Sequence, residues 1–147
     1  MIISINNATD NYILNYEIAK DLIAFIIDQE NIIVNEISLI LANQESVRKL
    51  KLEYFNEDVY TDTITFNVND PDEPLEGEIY LSADTIYQNA MKLRISYNQE
   101  FANVIAHSVL HLIGYDDSTQ EEKNEMFELQ KKYLKKFNYQ EIIFRVE

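Results

Sequence analysis

The sequence contains no cysteine, no tryptophan, and only two glycines and two prolines among its 147 residues. The absence of cysteine excludes a disulfide framework and any zinc site built on thiolate ligands. Basic residues are also scarce, since 12 lysines and arginines stand against 26 acidic residues and leave a formal net charge of −14. Such a surface repels phosphate at long range and works against a broad nucleic-acid-binding face. Any action on nucleic acid therefore needs a local cation, a metal ion or a partner.

Long apolar segments are absent as well. The longest apolar run covers residues 22–27, far short of the roughly 20 residues that a membrane span needs. The first residues lack the basic start and apolar run of a secretory signal. We therefore expect a cytoplasmic protein without a membrane partner. Because 46% of the residues are hydrophobic, we also expect a single domain over residues 1–147.

Hydrophobic periodicity predicts an α+β fold, a mixed four-stranded sheet with packed helices. The predicted strands cover residues 1–7, 36–43, 60–68 and 78–82. The predicted helices cover residues 16–31, 43–55, 82–93, 98–114 and 118–137. Residues 69–77 hold both prolines and Gly77, which predicts a loop. Ser118 and Glu121 predict a capping box at the start of the last helix.

The only two histidines, His107 and His111, lie four residues apart in a predicted helix. Residues at this spacing share one helical face, so both imidazoles can reach one ion. Gly114 is typical of a helix end, after which the chain can bring back a third group from residues 115–117, a tyrosine and two aspartates. Two imidazoles and a carboxylate leave an open position for water, as catalytic metal sites do. We interpret this helix as metal-binding, as in metalloproteases, rather than as a core with two buried histidines.

The residue after the first histidine argues against a peptidase. The spacing His-x-x-x-His-x-x-Gly-x-x-Asp is that of metzincin peptidases, which carry a glutamate directly after the first histidine as the general base. This sequence has Ser108 at that position. Because a serine cannot take a proton from zinc-bound water at neutral pH, the peptidase hypothesis loses its base.

A known family carries a similar signature. Residues 107–117, HSVLHLIGYDD, followed by EEKNEMFELQ, resemble the pattern His-Gly-x-Leu-His-Leu-x-Gly-Tyr-Asp-His and the acidic helix of the YbeY family of bacterial endoribonucleases. Residues 60–66, YTDTITF, are similar to that family's Pro-Thr-Asp-Val-Leu-Ser-Phe strand. The following GEIYLS is similar to its Gly-Asp-Ile strand. Together these segments belong to the last two thirds of the chain.

The resemblance implies a zinc-dependent endoribonuclease specific for single strands, with a role in ribosomal RNA maturation and ribosome assembly. Its expected partners are single-stranded ribosomal RNA and small-subunit ribosomal proteins or assembly factors. One zinc ion per chain would be held by His107, His111 and Asp117, where the aspartate replaces the family's third histidine. Because a carboxylate is a harder ligand than an imidazole, another divalent metal also fits this set.

The resemblance also marks positions around the site. An arginine of the family falls at Phe55, so Arg48 and Arg94 are the candidates to replace it as a phosphate contact. Phe55 and Tyr60 are candidates to stack on an unpaired base. The sequence offers no obvious general base, and the carboxylates considered for that role are Asp116, Glu100 and Glu78.

Three alternatives remain at this point. The first is a metallohydrolase with another substrate, a peptide or a small molecule. The second is a non-catalytic ribosome assembly factor with a structural metal, although structural zinc sites usually have four protein ligands. The third is an iron oxygenase with two histidines and one carboxylate, which ranks last because that triad normally lies on strands.

Overall fold

A computed structural model describes residues 1–146 of the chain. Its six strands are β1 (Ile2–Asn7), β2 (Tyr12–Leu14), β3 (Val34–Ala42), β4 (Thr63–Asn67), β5 (Leu75–Ser82) and β6 (Ile143–Arg145). Its five helices are α1 (Tyr16–Glu30), α2 (Gln44–Phe55), α3 (Ala83–Leu93), α4 (Tyr97–Leu112) and α5 (Gln120–Lys135). Within residues 1–146, no helix is long and apolar enough to cross a membrane.

The sheet has four strands in the order β1-β3-β5-β4. Strands β1, β3 and β5 run parallel, and β4 pairs antiparallel with β5 at the edge. This confirms the predicted mixed sheet. Strands β2 and β6 form a separate antiparallel pair, which the sequence analysis missed. With three residues each, these strands are too short for an alternating pattern to stand out.

Side chains on the two faces of the sheet enter different cores. On the larger face, alternate residues of β3 and β5, such as Leu39 and Ile79, are fully buried with α1 and α4. On the other face, Val47 of α2 packs with Ile64 of β4 in a smaller cluster. Helix α4 lies in the larger core, and ten of its 16 residues are buried. Because it is packed on several sides, α4 is a rigid support for the side chains on its remaining face.

The predicted loop over residues 69–77 is wrong at its end, because β5 already begins at Leu75. Gly77 is therefore a strand residue, paired with Ile37 of β3 and Asn67 of β4. A Cβ atom on Gly77 would lie 2.8 Å from Cδ2 of Leu112. The glycine thus allows the end of α4 to approach the sheet closely, rather than making a turn.

The predicted capping box is shifted by one residue. Helix α5 begins after Thr119, whose Oγ1 accepts the backbone N–H of Glu122, while the Glu122 carboxylate accepts the backbone N–H of Thr119. Ser118 donates its hydroxyl to the same Glu122 carboxylate. Adjacent serine and threonine residues followed by adjacent glutamates satisfy the sequence pattern in two registers, and the backbone chooses the second.

Candidate metal centre

Helix α4 ends in a motif that reverses the chain beside the two histidines. Gly114 has a φ of 115°, and its N–H donates to the carbonyl of His111. The N–H of Tyr115 donates to the carbonyl of Leu110 over 3.0 Å. These two bonds form a Schellman motif, which satisfies the last carbonyls of the helix and needs glycine at the reversal.

The segment after this reversal is tied to two other helices. The Tyr115 hydroxyl donates to Oε1 of Glu30, at the end of α1, over 2.7 Å. Tyr133 of α5 donates to the same Glu30 carboxylate. The contact with Glu30, together with burial, raises the pKa of Tyr115 to about 12, so the hydroxyl keeps its proton and remains a donor. These contacts hold the chain only two residues before Asp117.

The three expected ligands converge in space. Oδ2 of Asp117 lies 3.3 Å from Nε2 of His111 and 3.7 Å from Nε2 of His107. One donor atom from each side chain lies within 4.8 Å of the other two. Tetrahedral zinc with bonds of about 2.0–2.2 Å separates its ligand atoms by about 3.4 Å, so these atoms fit a single ion. The side chains are 32%, 25% and 42% exposed for His107, His111 and Asp117, which leaves one side open to a substrate.

A residue of α5 orients the first histidine. Oε1 of Gln130 lies 3.0 Å from Nδ1 of His107. An amide oxygen only accepts hydrogen bonds, so this contact favours the tautomer with the proton on Nδ1. That tautomer leaves Nε2 as the nitrogen that can bind a metal beside Asp117. Outer contacts of this kind select the tautomer that binds a metal. Gln130 was quoted only within the segment EEKNEMFELQ and was given no role, because its helix is separate from the histidine motif in sequence.

Ser108 connects α4 to the edge strand. Its hydroxyl is fully buried, donates to the carbonyl of Val104 over 2.7 Å and shares a 2.8 Å hydrogen bond with Oγ1 of Thr63. A second contact joins the same elements, since Nδ2 of Asn67 donates to the carbonyl of Leu112. Metzincin peptidases carry their general base at this position, whereas Ser108 has a structural role here. This difference argues against a peptidase activity.

We expect Ser108→Ala to lower the free energy of unfolding by about 1–2 kcal/mol, because Thr63 loses a buried hydrogen-bond partner. Urea denaturation followed by circular dichroism measures this change. Ser46→Ala, at an exposed position of α2, is the matched control and should be close to neutral. A Ser108→Ala variant as stable as the control would contradict the structural role.

The polar face of β4 lines a cavity in front of the three ligand side chains. Thr63 and Thr65 lie on this face, whereas Ile64 and Phe66 face the smaller core. The cavity has a volume of about 380 Å³. Its lining consists of Lys51, Phe55, Thr61, Asp62, Thr63, Ile64, Thr65, His107, His111 and Asp117. We call it the metal cavity.

A second cavity, of about 390 Å³, adjoins the metal cavity. Asp62 and His107 line both. The other lining residues of the second cavity are Leu93, Ile95, Glu100, Asn103, Val104, Phe127 and Gln130. We call it the side cavity.

Asp62 lies between the two cavities and was not among the site residues predicted from the sequence. Burial raises the pKa of its carboxyl, and the nearby His107 imidazole partly opposes that effect. A half-buried carboxylate with a perturbed pKa in a cleft is typical of functional sites. The available signal was the aspartate within residues 60–66, which was used only as part of a strand pattern.

The cation that shares the metal cavity with the expected ligands is Lys51, not an arginine. Lys51 is the only lysine or arginine that lines the metal cavity, and its Nζ lies 4.6 Å from the centre of the Phe55 ring. Arg48 is instead held by Glu45 and Asp58, at 3.0 and 2.6 Å. Arg94 is exposed at the end of α3 and lines neither cavity.

The two aromatic candidates occupy different positions. Phe55 lines the metal cavity and stacks on Phe66, with ring centres 6.0 Å apart. Tyr60 lines neither cavity. Its hydroxyl donates to Glu45, and the Arg48 guanidinium lies over its ring. Only Phe55 is therefore placed to meet a substrate in front of the metal ligands.

The three carboxylates considered as a general base are not brought together. Glu100 lies two turns before His107 on α4 and lines the side cavity. Asp116 is exposed and lines neither cavity. Glu78 lies on the α2 side of the sheet, in a separate cavity with Tyr54 and Tyr80.

Comparisons with known proteins identify the family that this chain is similar to. The family model described as endoribonuclease YbeY matches residues 4–138. A protein named endoribonuclease YbeY from Chlorobium limicola is 34% identical over 85% of this chain and 86% of its own length. Its namesake from Amoebophilus asiaticus is 36% identical over 82% of each chain. A solution structure of a Thermotoga maritima protein, 28% identical, superimposes with a TM-score of 0.65 over 90% of this chain and 87% of its own.

Proposed function

The chain belongs to the YbeY family of endoribonucleases, and on that premise we propose that it cuts single-stranded ribosomal RNA in a metal-dependent reaction. The observation that carries this proposal is the convergence of His107, His111 and Asp117 on one point beside a cavity that contains a single cation. When bound there, a divalent ion supplies Lewis-acid chemistry for phosphodiester hydrolysis. The remaining groups of the cavity belong to this chain and have separate tasks.

We assign the three side chains as ligands of one zinc ion. Two imidazole nitrogens and one carboxylate oxygen form one of the ligand sets of catalytic zinc sites with an open position. Within residues 1–146 no other group of three or more histidine and carboxylate side chains converges in this way. A structural zinc site would be closed by a fourth protein ligand, and the cluster contains three. This count favours an enzyme over a non-catalytic assembly factor.

Lys51 and Asp62 are the charged side chains that we assign to the phosphodiester group of the RNA. The Lys51 ammonium, in the metal cavity, attracts a phosphate oxygen and replaces the family arginine. Asp62, at the boundary of the two cavities, is placed to accept the proton of the oxygen that attacks phosphorus. Phe55 beside Lys51 offers an aromatic face to an unpaired base.

Cleavage assays with metal exchange test the proposal. Purified protein is stripped with a chelator, reloaded with zinc or another divalent metal, and incubated with a single-stranded RNA, its duplex form and the matching DNA. We expect metal-dependent cleavage of the single-stranded RNA alone, and no hydrolysis of peptide substrates. Elemental analysis of untreated protein identifies the metal. Equal cleavage by the stripped and reloaded protein would overturn the proposal.

Gln130→Ala is expected to lower zinc affinity by about 10–100-fold, because His107 loses the partner that fixes its tautomer. A competition titration with a chromogenic chelator measures the affinity. Gln130→Glu keeps an acceptor at this position and should retain binding. Gln99→Ala, exposed at the start of the same α4, is the neutral control. Equal zinc affinity for Gln130→Ala and the control would show that the contact does not orient the ligand.

Lys51→Ala is expected to lower kcat/KM for RNA cleavage by about 10–100-fold, since the phosphate loses one charge-assisted hydrogen bond. Lys51→Arg restores the charge and should recover most of the activity. Lys20→Ala removes a charge from the exposed face of α1 and serves as the control. If Lys51→Ala lowers kcat/KM no more than Lys20→Ala does, the phosphate contact lies elsewhere.

The net charge of −14 opposes the binding of this protein to free RNA. A single cation in the metal cavity supplies little attraction for a polyanion. We infer that small-subunit ribosomal proteins or assembly factors, which are basic or RNA-bound, recruit this protein to its substrate in the cytoplasm. Activity on free RNA should accordingly be weak and fall with added salt.

A further inference from the structure

The side cavity has a composition that differs from that of the metal cavity. One part of its wall is apolar, formed by Leu93, Ile95, Val104 and Phe127. The other part is polar, formed by Asp62, Glu100, Asn103 and Gln130. His107 marks the boundary with the metal cavity. The proposed cleavage reaction uses neither the apolar wall nor Glu100.

Hydrogen-bond acceptors dominate the polar part. Glu100 is only 9% exposed, and its Oε1 accepts a hydrogen bond from Nδ2 of Asn103 over 3.2 Å. A carboxylate offers about four lone-pair positions, so this contact leaves capacity for a ligand. The lining contains no lysine or arginine. An uncharged ligand with N–H groups therefore suits this cavity, and a phosphate does not.

The two cavities together match the parts of a nucleotide. The metal cavity combines Lys51, three threonines and the ligand cluster, which suits a phosphate. The side cavity combines an apolar wall with buried acceptors, which suits a flat base that presents N–H groups at its edge. Both cavities are lined by Asp62 and His107, so they adjoin each other as the base and the phosphate of one nucleotide do.

We propose that the side cavity binds an unpaired guanine base of the RNA, with the Glu100 carboxylate accepting hydrogen bonds from its Watson–Crick edge. Guanine presents two neighbouring donors there, N1–H and the 2-amino group, which match the two oxygens of a carboxylate. Adenine and cytosine place a ring acceptor beside the amino group, and uracil flanks its N–H with carbonyls. None of these three bases therefore offers a carboxylate two neighbouring donors. This inference rests on the proposed function, because it names the base that the same enzyme selects.

Phe127 supplies the stacking surface in this arrangement. Phe127 is 57% exposed although it lies on α5 at the cavity wall. A large exposed aromatic side chain beside a polar floor is typical of sites that stack an extruded base. Lys131, one turn further along α5, lies with its ammonium 5.2 Å from the centre of the same ring.

Calorimetric titration of the zinc-loaded protein with the four ribonucleoside monophosphates tests the inference. We expect GMP to bind about tenfold more tightly than AMP, CMP or UMP, since a bidentate contact separates bases by about this factor. Inosine monophosphate lacks the 2-amino group and should bind several-fold more weakly than GMP. This comparison of two ligands needs no variant. Equal affinity for all four nucleotides, or no measurable binding of GMP at millimolar concentration, would overturn the inference.

Two variants with matched controls locate the site. Glu100→Gln should reduce GMP binding to the level of AMP, while Glu17→Gln, an exposed acid of α1, should leave it unchanged. Phe127→Ala should weaken the binding of all four nucleotides about tenfold. Phe144→Ala, which changes an exposed phenylalanine of β6, should leave their binding unchanged. GMP affinity that is unchanged in both site variants would place the base elsewhere.

The inference and the proposed function fail separately. Selective GMP binding by a protein that cuts no RNA with any metal would support the guanine site and overturn the proposed activity. Metal-dependent cleavage at every base, with equal binding of the four nucleotides, would support the activity and overturn the guanine site.

Discussion

Asp117→Ala should release the metal and abolish RNA cleavage. The carboxylate is one of three protein donors in the cluster, and its Oδ2 lies 3.3 Å from Nε2 of His111. Removal of an outer contact lowers metal affinity by about 10–100-fold. We expect removal of a direct ligand to lower the affinity by more than that. Elemental analysis after dialysis measures the bound zinc, and competition with a chelator measures the affinity.

Two companion variants make this result specific. Asp117→His replaces the carboxylate with the imidazole found at the corresponding position of the family pattern, and it should keep or tighten zinc binding. Asp116→Ala removes the neighbouring exposed carboxylate and should leave zinc content unchanged. Retention of full zinc by Asp117→Ala would mean that Asp117 is not a ligand.

Asp62→Asn should lower kcat for RNA cleavage by about 10²–10⁴-fold, the usual contribution of a general base. The amide has nearly the same shape and cannot accept the proton, so the loss should appear in kcat rather than in KM. Zinc content should remain that of the unaltered protein, because Asp62 is not one of the three convergent donors. Steady-state kinetics on a fluorescent single-stranded RNA measure both constants.

The matched control is Asp70→Asn, an exposed aspartate in the segment between β4 and β5. It changes the net charge equally and should leave kcat within about twofold. A normal kcat for Asp62→Asn would assign proton transfer to another group. Loss of zinc in that variant would give Asp62 a role in holding the ligands.

Much of the architecture was predictable because its signals are local. Helical and alternating apolar periodicity located all five helices and the four strands of the main sheet, and the order of these elements implied a mixed sheet. The pair β2 and β6 was missed because its strands are short, and two further errors arose where one residue type serves two purposes. Gly77 was interpreted as a loop glycine, but its role is to let Leu112 approach the sheet. Ser118 and Thr119 offered two equivalent caps.

In the site, too, the residues marked by local signals were predictable and the others were not. His107 and His111 were identifiable because a helix places residues four apart on one face. Lys51, Asp62 and Gln130 were missed, because α2, the residue before β4, and α5 come together at the cavities beside His107 only after the chain has folded. Arg48 and Arg94 were considered on charge alone, and their positions follow from ion pairs and helix ends that composition does not encode.

The sequence by itself determined the helix, the paired imidazoles and the reversal at Gly114, because each depends on contacts within about one turn of the chain. Only the tertiary structure decided which face of β4 meets α4, which cation faces the ligands, and that a cavity with buried acceptors lies next to them. The physical reason is that these features arise from packing between distant segments. Strand pairing, the space beside Gly77 and buried hydrogen bonds select one arrangement there among many that share the same periodicity.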